Sequence, residues 1–209
     1  MTQVLLIAFL ATLIYLSISN RLLGYLKILA LQGVLLFGIS FLALHEISPL
    51  NLVFVLLETI IFKTIAVPYF MGYVIRKNNI TREAEPYLSN FISLVIVTVI
   101  ITGTFLLSNL VNEAQLNKLF FVAALSSLFT GLYIILTRRK IITHVMGFLI
   151  IENGVFVLSL AVGNEMPMLV NTGILLDLFV SVLLLGVFAN KIGDVMGDAG
   201  VEQLSQLKD

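Results

Sequence analysis

Five residues with proton-handling or hydrogen-bonding side chains lie inside long apolar runs: Gln32, Glu58, Lys63, Glu152 and Asp177. The stretch "GFLIIENGVFVLSLAV", Gly147 to Val162, shows the pattern, with one acid and one amide in otherwise apolar sequence. Desolvation raises the pKa of a carboxyl group, and a nearby cation lowers it again. An acid beside a movable positive charge therefore gains or loses its proton near neutral pH, which is the elementary step of a proton relay. Nucleophilic and metal chemistry have no comparable support. Cysteine is absent, which removes disulfides, iron–sulfur clusters and thiolate metal sites. His45 and His144 stand apart near expected helix ends, and no HExxH or GxSxG pattern is present. No cofactor pocket is recognisable in the sequence.

The elements that must hold these residues follow from composition. Hydrophobic residues make up 59% of the 209 and charged residues 11%, and the mean hydropathy is +1.09. Soluble domains carry about 25% charged residues. So apolar a chain takes lipid as its solvent. Zero formal net charge leaves no nucleic-acid footprint. Apolar runs of bilayer length fall at about 3–18, 25–44, 50–75, 88–111, 117–136, 141–162 and 168–189, near the ~20 residues a membrane helix needs. The expected fold is an all-α integral membrane protein of seven transmembrane helices. The opening "MTQVLLIAFL" has no basic residue, so it is expected to be a retained helix rather than a signal peptide.

Charge sets the expected direction. The connections holding Arg21–Lys27, Arg76–Arg82 and Arg138–Lys140, with the C-terminal tail, carry ten of the twelve basic residues. Lys118 lies on the opposite side, and Lys63 lies within a span. Lys and Arg stay on the cytoplasmic side, so the N-terminus is expected outside and the C-terminus inside.

Depth then separates the five polar residues. Glu152 lies roughly 16 Å into its span and Asp177 roughly 13 Å, both near the midplane, with Glu58 at similar depth. Lys63 lies roughly 18 Å from the inner end of its helix, too far for its stem to reach water. Each such charge costs about 2.5–3.5 kcal/mol on insertion scales, so all require partners, water or neutralisation. At α-helical pitch Glu58 and Lys63 are about 140° apart and do not share a face. Pro68, in the same span, removes the hydrogen bond to Thr64 and is expected to kink the helix. Structural readings also fit: Glu152 and Asp177 as protonated helix glue, Lys63 and Glu58 in static ion pairs, Gln32 as an interhelical hydrogen-bond partner. Lys27 reads as a snorkelling anchor. Gly33, Gly38, Gly103, Gly131, Gly147, Gly154, Gly173 and Gly186 read as close-packing contacts.

The chain also echoes itself. "HEISPLNLVFVLLE" from His45 and "NEMPMLVNTGILLD" from Asn164 align Glu46 with Glu165 and Glu58 with Asp177. "LQGVLLFGIS" around Gln32 is similar to "IENGVFVLSL" around Glu152 after a one-residue gap. The echo predicts a parallel duplication of a three-helix unit. An N-terminal repeat covers 1–87, a linking helix 88–111, a second repeat 112–189 and a cytoplasmic tail 190–209.

A last three-helix unit with "IENG" in its second helix and an acid in its third resembles the small three-helix subunit of respiratory complex I and its counterpart in Mrp-type cation/proton antiporters. With the added N-terminal half, the chain resembles the hydrogenase 4 component E family, membrane subunits of energy-converting nickel–iron hydrogenases. That resemblance implies relay glutamates at the positions of Glu152 and Asp177, the latter shortened here by one methylene. Glu58 and Lys63 fall outside the small subunit and are relay candidates by depth and charge alone. The implied partners are antiporter-like membrane subunits and a peripheral hydrogenase or dehydrogenase module. The implied location is the inner membrane of a bacterial or archaeal cell. The expected function is a non-catalytic membrane-arm subunit carrying part of a proton or ion path. An autonomous small transporter and a structural scaffold are the alternatives.

Overall fold

The computed structural model describes residues 1–43, 53, 56–77, 87–111, 117–138 and 140–162. The described residues are helical apart from short connections. Helix α1 spans Thr2–Ile18 and α2 spans Leu22–Ala43. A π-helix over Glu58–Ala66 runs directly into α3, Val67–Lys77. Helices α4 (Asn90–Leu110), α5 (Lys118–Thr137) and α6 (Ile141–Val162) follow. Helices α2, α4, α5 and α6 are each long and apolar enough to cross a membrane, and α1 is a shorter apolar helix of 17 residues. The span expected at 168–189 lies outside the described residues.

Successive helices alternate in direction. The start of α1, the end of α2, the start of α5 and the end of α6 meet at one end, where Met1, Ala43, Asn117 and Leu160 line a common hollow. The Asn117 N–H there donates to the Ala161 carbonyl at 3.1 Å. At the other end, the Tyr87 N–H donates to the Thr137 carbonyl at 2.9 Å. Arg21, Lys27, Arg76, Arg138 and Lys140 belong to this second, basic end.

Sequence explains the closest contacts. Helices α5 and α6 meet along small residues: a Cβ added to Gly131 would stand 2.7 Å from the Gly147 carbonyl, and one on Gly154 3.0 Å from the Ala124 carbonyl. Small residues let backbones approach where burial of apolar surface no longer drives association. Gly33 of α2 does the same against the π-helix, where a Cβ would come within 2.9 Å of the Thr64 nitrogen. Gly103 departs from the expectation of close packing, since nothing stands within 4 Å of its would-be Cβ. It lies on α4, whose outward residues Val99, Phe105 and Leu106 are exposed apolar side chains. Gly173 and Gly186 lie outside the described residues.

The winding around Lys63 also differs from expectation. Pro68 lacks the N–H that an α-helix would direct at Thr64, and its ring would crowd that carbonyl. The helix answers by widening to π pitch upstream, a known way for membrane helices to re-satisfy freed backbone groups. The Thr64 hydroxyl donates to the Thr59 carbonyl, five residues back, at 2.9 Å. Because a π-helix bonds residue i to i+5 and is wider than an α-helix, the five residues from Glu58 to Lys63 make little more than one backbone turn. The separation of about 140° expected from α pitch does not hold here.

The buried interior has two apolar layers. One, toward the basic end, gathers Leu13, Leu29, Met71, Met146 and Ile150. The other gathers Phe9, Leu36, Ile39, Ala124 and Phe156. Between them, at mid-helix, lie buried Thr12, Gln32, Lys63, Glu152 and Asn153.

Candidate functional site

Four elements contribute to this polar layer. Helix α6 supplies Glu152 and Asn153, the π-helix Lys63, α2 Gln32 and α1 Thr12. The Lys63 ammonium forms an ion pair with Glu152 Oε1 and donates a longer hydrogen bond, 3.4 Å, to Asn153 Oδ1. Asn153 Nδ2 donates to Gln32 Oε1 at 3.0 Å. Gln32 Nε2 donates to Thr12 Oγ1 at 2.8 Å, and that hydroxyl donates to the Phe9 carbonyl at 2.6 Å. Donation thus runs one way, from an ammonium group to a backbone carbonyl, across the bundle. The Phe156 ring, one helical turn beyond Glu152, lies 4.8 Å from the ammonium, within cation–π range.

The chemistry divides along this chain. Glu152 and Lys63 are the ionisable members, and their exposures are only 7% and 6%. A buried pair of this kind repays its desolvation only when geometry is good and further hydrogen bonds satisfy the remaining donors. Asn153 and Phe156 provide that support. The Asn153 and Gln32 amides have no proton to release at neutral pH. They fix the orientation of Lys63 and tie α6 to α2 and α1, so Gln32 acts as a positioning group in this arrangement.

A small cavity adjoins the pair. Leu29, Lys63, Val67, Leu149, Glu152 and Asn153 line it, and its volume is about 10 Å³, close to the room a single water needs. Leu29, Val67 and Leu149 lie three or four residues from Gln32, Lys63 and Glu152 or Asn153, in each case toward the basic end. The cavity therefore lies on the basic-end side of the pair, beneath buried apolar side chains.

The structure brings together three of the five sequence candidates: Gln32, Lys63 and Glu152. Glu58 opens the π-helix one winding before Lys63. Asp177 lies outside the described residues, as do His45, Glu46 and Glu165. Among the described residues no group of three His, Asp or Glu side chains could hold a metal ion.

Sequence reasoning passed over four contributors. Asn153 stands beside Glu152 in "ENG", and Phe156 follows at helical spacing, so both were within reach of a helical-face argument. Thr12 carried no signal, since lone threonines are common in such helices. Arg138 is the fourth. It belongs to the basic connection by sequence, yet it is 2% exposed. Its guanidinium donates to the Ser17 carbonyl at 3.2 Å and the Ser19 carbonyl at 3.4 Å, and lies 5.9 Å from the Tyr25 ring. It fastens the α1–α2 turn to the end of α5.

Comparisons with known proteins place the chain beside one relative of undetermined role. It is 24% identical over 188 residues, 88% of this chain and 84% of the other, to the uncharacterized protein Rv0085 of Mycobacterium tuberculosis. No protein-family model matches the chain, and no solved structure matches it.

Proposed function

We propose that this chain is a membrane-arm subunit of a hydrogenase-4-like or complex I-like energy-converting assembly, and that Glu152 and Lys63 carry part of its mid-membrane proton path. The observation that supports this most is the buried Lys63–Glu152 ion pair, with a water-sized cavity beside it. An acid held by a movable ammonium group takes up a proton when the ammonium leaves and releases it when the ammonium returns. The chain itself makes and breaks no bonds on this reading. A peripheral hydrogenase or dehydrogenase module supplies the energy, and antiporter-like subunits continue the path. Asp177 and Glu58 are proposed as further relay acids. The basic end is proposed to face the cytoplasm of a bacterial or archaeal cell, with the N-terminus outside.

Retained assembly with lost transfer is the diagnostic outcome. Glu152→Gln keeps an acceptor for the Lys63 ammonium at the same place, while it removes the carboxylate charge and with it the exchangeable proton. The assembled complex carrying it is expected to retain all its subunits and lose proton translocation. Unchanged translocation by that complex overturns the proposal.

A scaffold role is the second reading. The direct Thr12–Gln32–Asn153 chain favours it, because it ties three helices with groups that do not titrate. On that reading Glu152→Gln leaves both assembly and translocation intact.

A further inference from the structure

A groove of about 500 Å³ runs between α2 and α3 at the basic end. Lys27 and Arg76 line it toward the charged edge, and Leu26, Pro68, Tyr69, Gly72 and Tyr73 line the rest. From Arg76 up to Pro68 is eight residues, or roughly 12 Å of helix rise. The groove therefore reaches from the charged edge well into the apolar zone. Its lining is shallow in side chain: Gly72 has none, and a Cβ there would only touch Leu26 at 3.5 Å.

Both cations are exposed, and among the described residues neither makes an ion pair or hydrogen bond. Tyr73, about one turn from Arg76, is 54% exposed, and tyrosines collect at membrane–water boundaries, where the ring lies among chains and the hydroxyl among headgroups. Two cations and a tyrosine at the charged edge of an apolar trough match a molecule with an anionic head and a hydrocarbon tail. Basic recesses between membrane helices hold such headgroups.

We propose that the α2–α3 groove seats an anionic phospholipid, with its phosphate between Lys27 and Arg76 and one acyl chain along Leu26, Pro68 and Gly72. An apolar helix laid in the groove would bury two cations without counter-charge, at a cost that a phosphate removes. A zwitterionic lipid carries its own cation to this edge and gains less. The inference is independent of proton transfer.

The test uses the full chain purified in detergent, with phosphatidylglycerol and phosphatidylcholine of equal chain length, and native mass spectrometry to count retained lipid. Phosphatidylglycerol is expected to be retained roughly tenfold more than phosphatidylcholine, and Lys27→Gln with Arg76→Gln to abolish that preference. Arg21→Gln, an exposed cation at the same end but outside the groove, is expected to leave it intact. Gly72→Leu keeps both cations and fills the trough, and is expected to lower phosphatidylglycerol retention as well. Equal retention of the two lipids overturns the proposal. So does an unchanged preference in the double variant, an equal loss in Arg21→Gln, or full retention in Gly72→Leu.

Discussion

Lys63 on the π-helix and Glu152 on α6, 89 residues apart in sequence, form a buried ion pair at mid-helix depth. Each is the other's counter-charge, so removing one strands the other in an apolar layer. Glu152→Leu is expected to destabilise the protein by about 3–5 kcal/mol, the cost of an uncompensated buried charge. Combining it with Lys63→Met is expected to restore most of that loss. A double-mutant cycle on reversible unfolding in micelles checks this, and simple additivity of the two losses would contradict the pairing.

Gln32 offers the contrasting case. Gln32→Leu leaves Asn153 Nδ2 without its acceptor and Thr12 Oγ1 without its donor, at an expected cost of about 1–3 kcal/mol. Proton translocation by the assembled complex is expected to survive, because the amide does not titrate. Measuring stability and translocation on the same preparation separates positioning from relay.

The glycine seam makes a steric prediction. Gly131→Ala places a methyl 2.7 Å from the Gly147 carbonyl, and the overpacking is expected to cost about 1–3 kcal/mol. Gly103→Ala meets open space and is expected to change stability by less than about 0.5 kcal/mol. Unfolding of the two variants in the same micelles gives the comparison.

Orientation is open to chemical labelling because the natural sequence has no cysteine. Gln3→Cys and Arg21→Cys each introduce the sole thiol, at exposed positions on opposite ends. A membrane-impermeant maleimide is expected to label Gln3→Cys in intact cells and Arg21→Cys only after permeabilisation. The reverse pattern would place the basic end outside.

Much of the helical frame was legible in the sequence. The runs at 88–111, 117–136 and 141–162 became α4, α5 and α6 within a residue or two, because unbroken apolar stretches bounded by polar residues leave little choice of ends. The candidate site was legible by type and not by partner. A lysine too deep to snorkel and a glutamate in "IENG" advertise themselves as costly in lipid, yet depth alone cannot show that they face each other. Lys63 also lies in the π-winding before Pro68, so α-helical pitch gave the wrong angle for the Glu58–Lys63 segment. Arg138 shows the same limit: a basic loop residue and a buried clamp read alike until the α1–α2 turn is placed against it.

The central claim is that the Glu152 carboxyl changes its protonation state while the complex works. Infrared difference spectroscopy on the assembled complex, with Glu152→Gln as the control, reads this directly. The account predicts a protonated-carboxyl band that rises and falls with turnover and vanishes in Glu152→Gln. A spectrum identical in the two proteins, while the wild-type complex translocates protons, would contradict it.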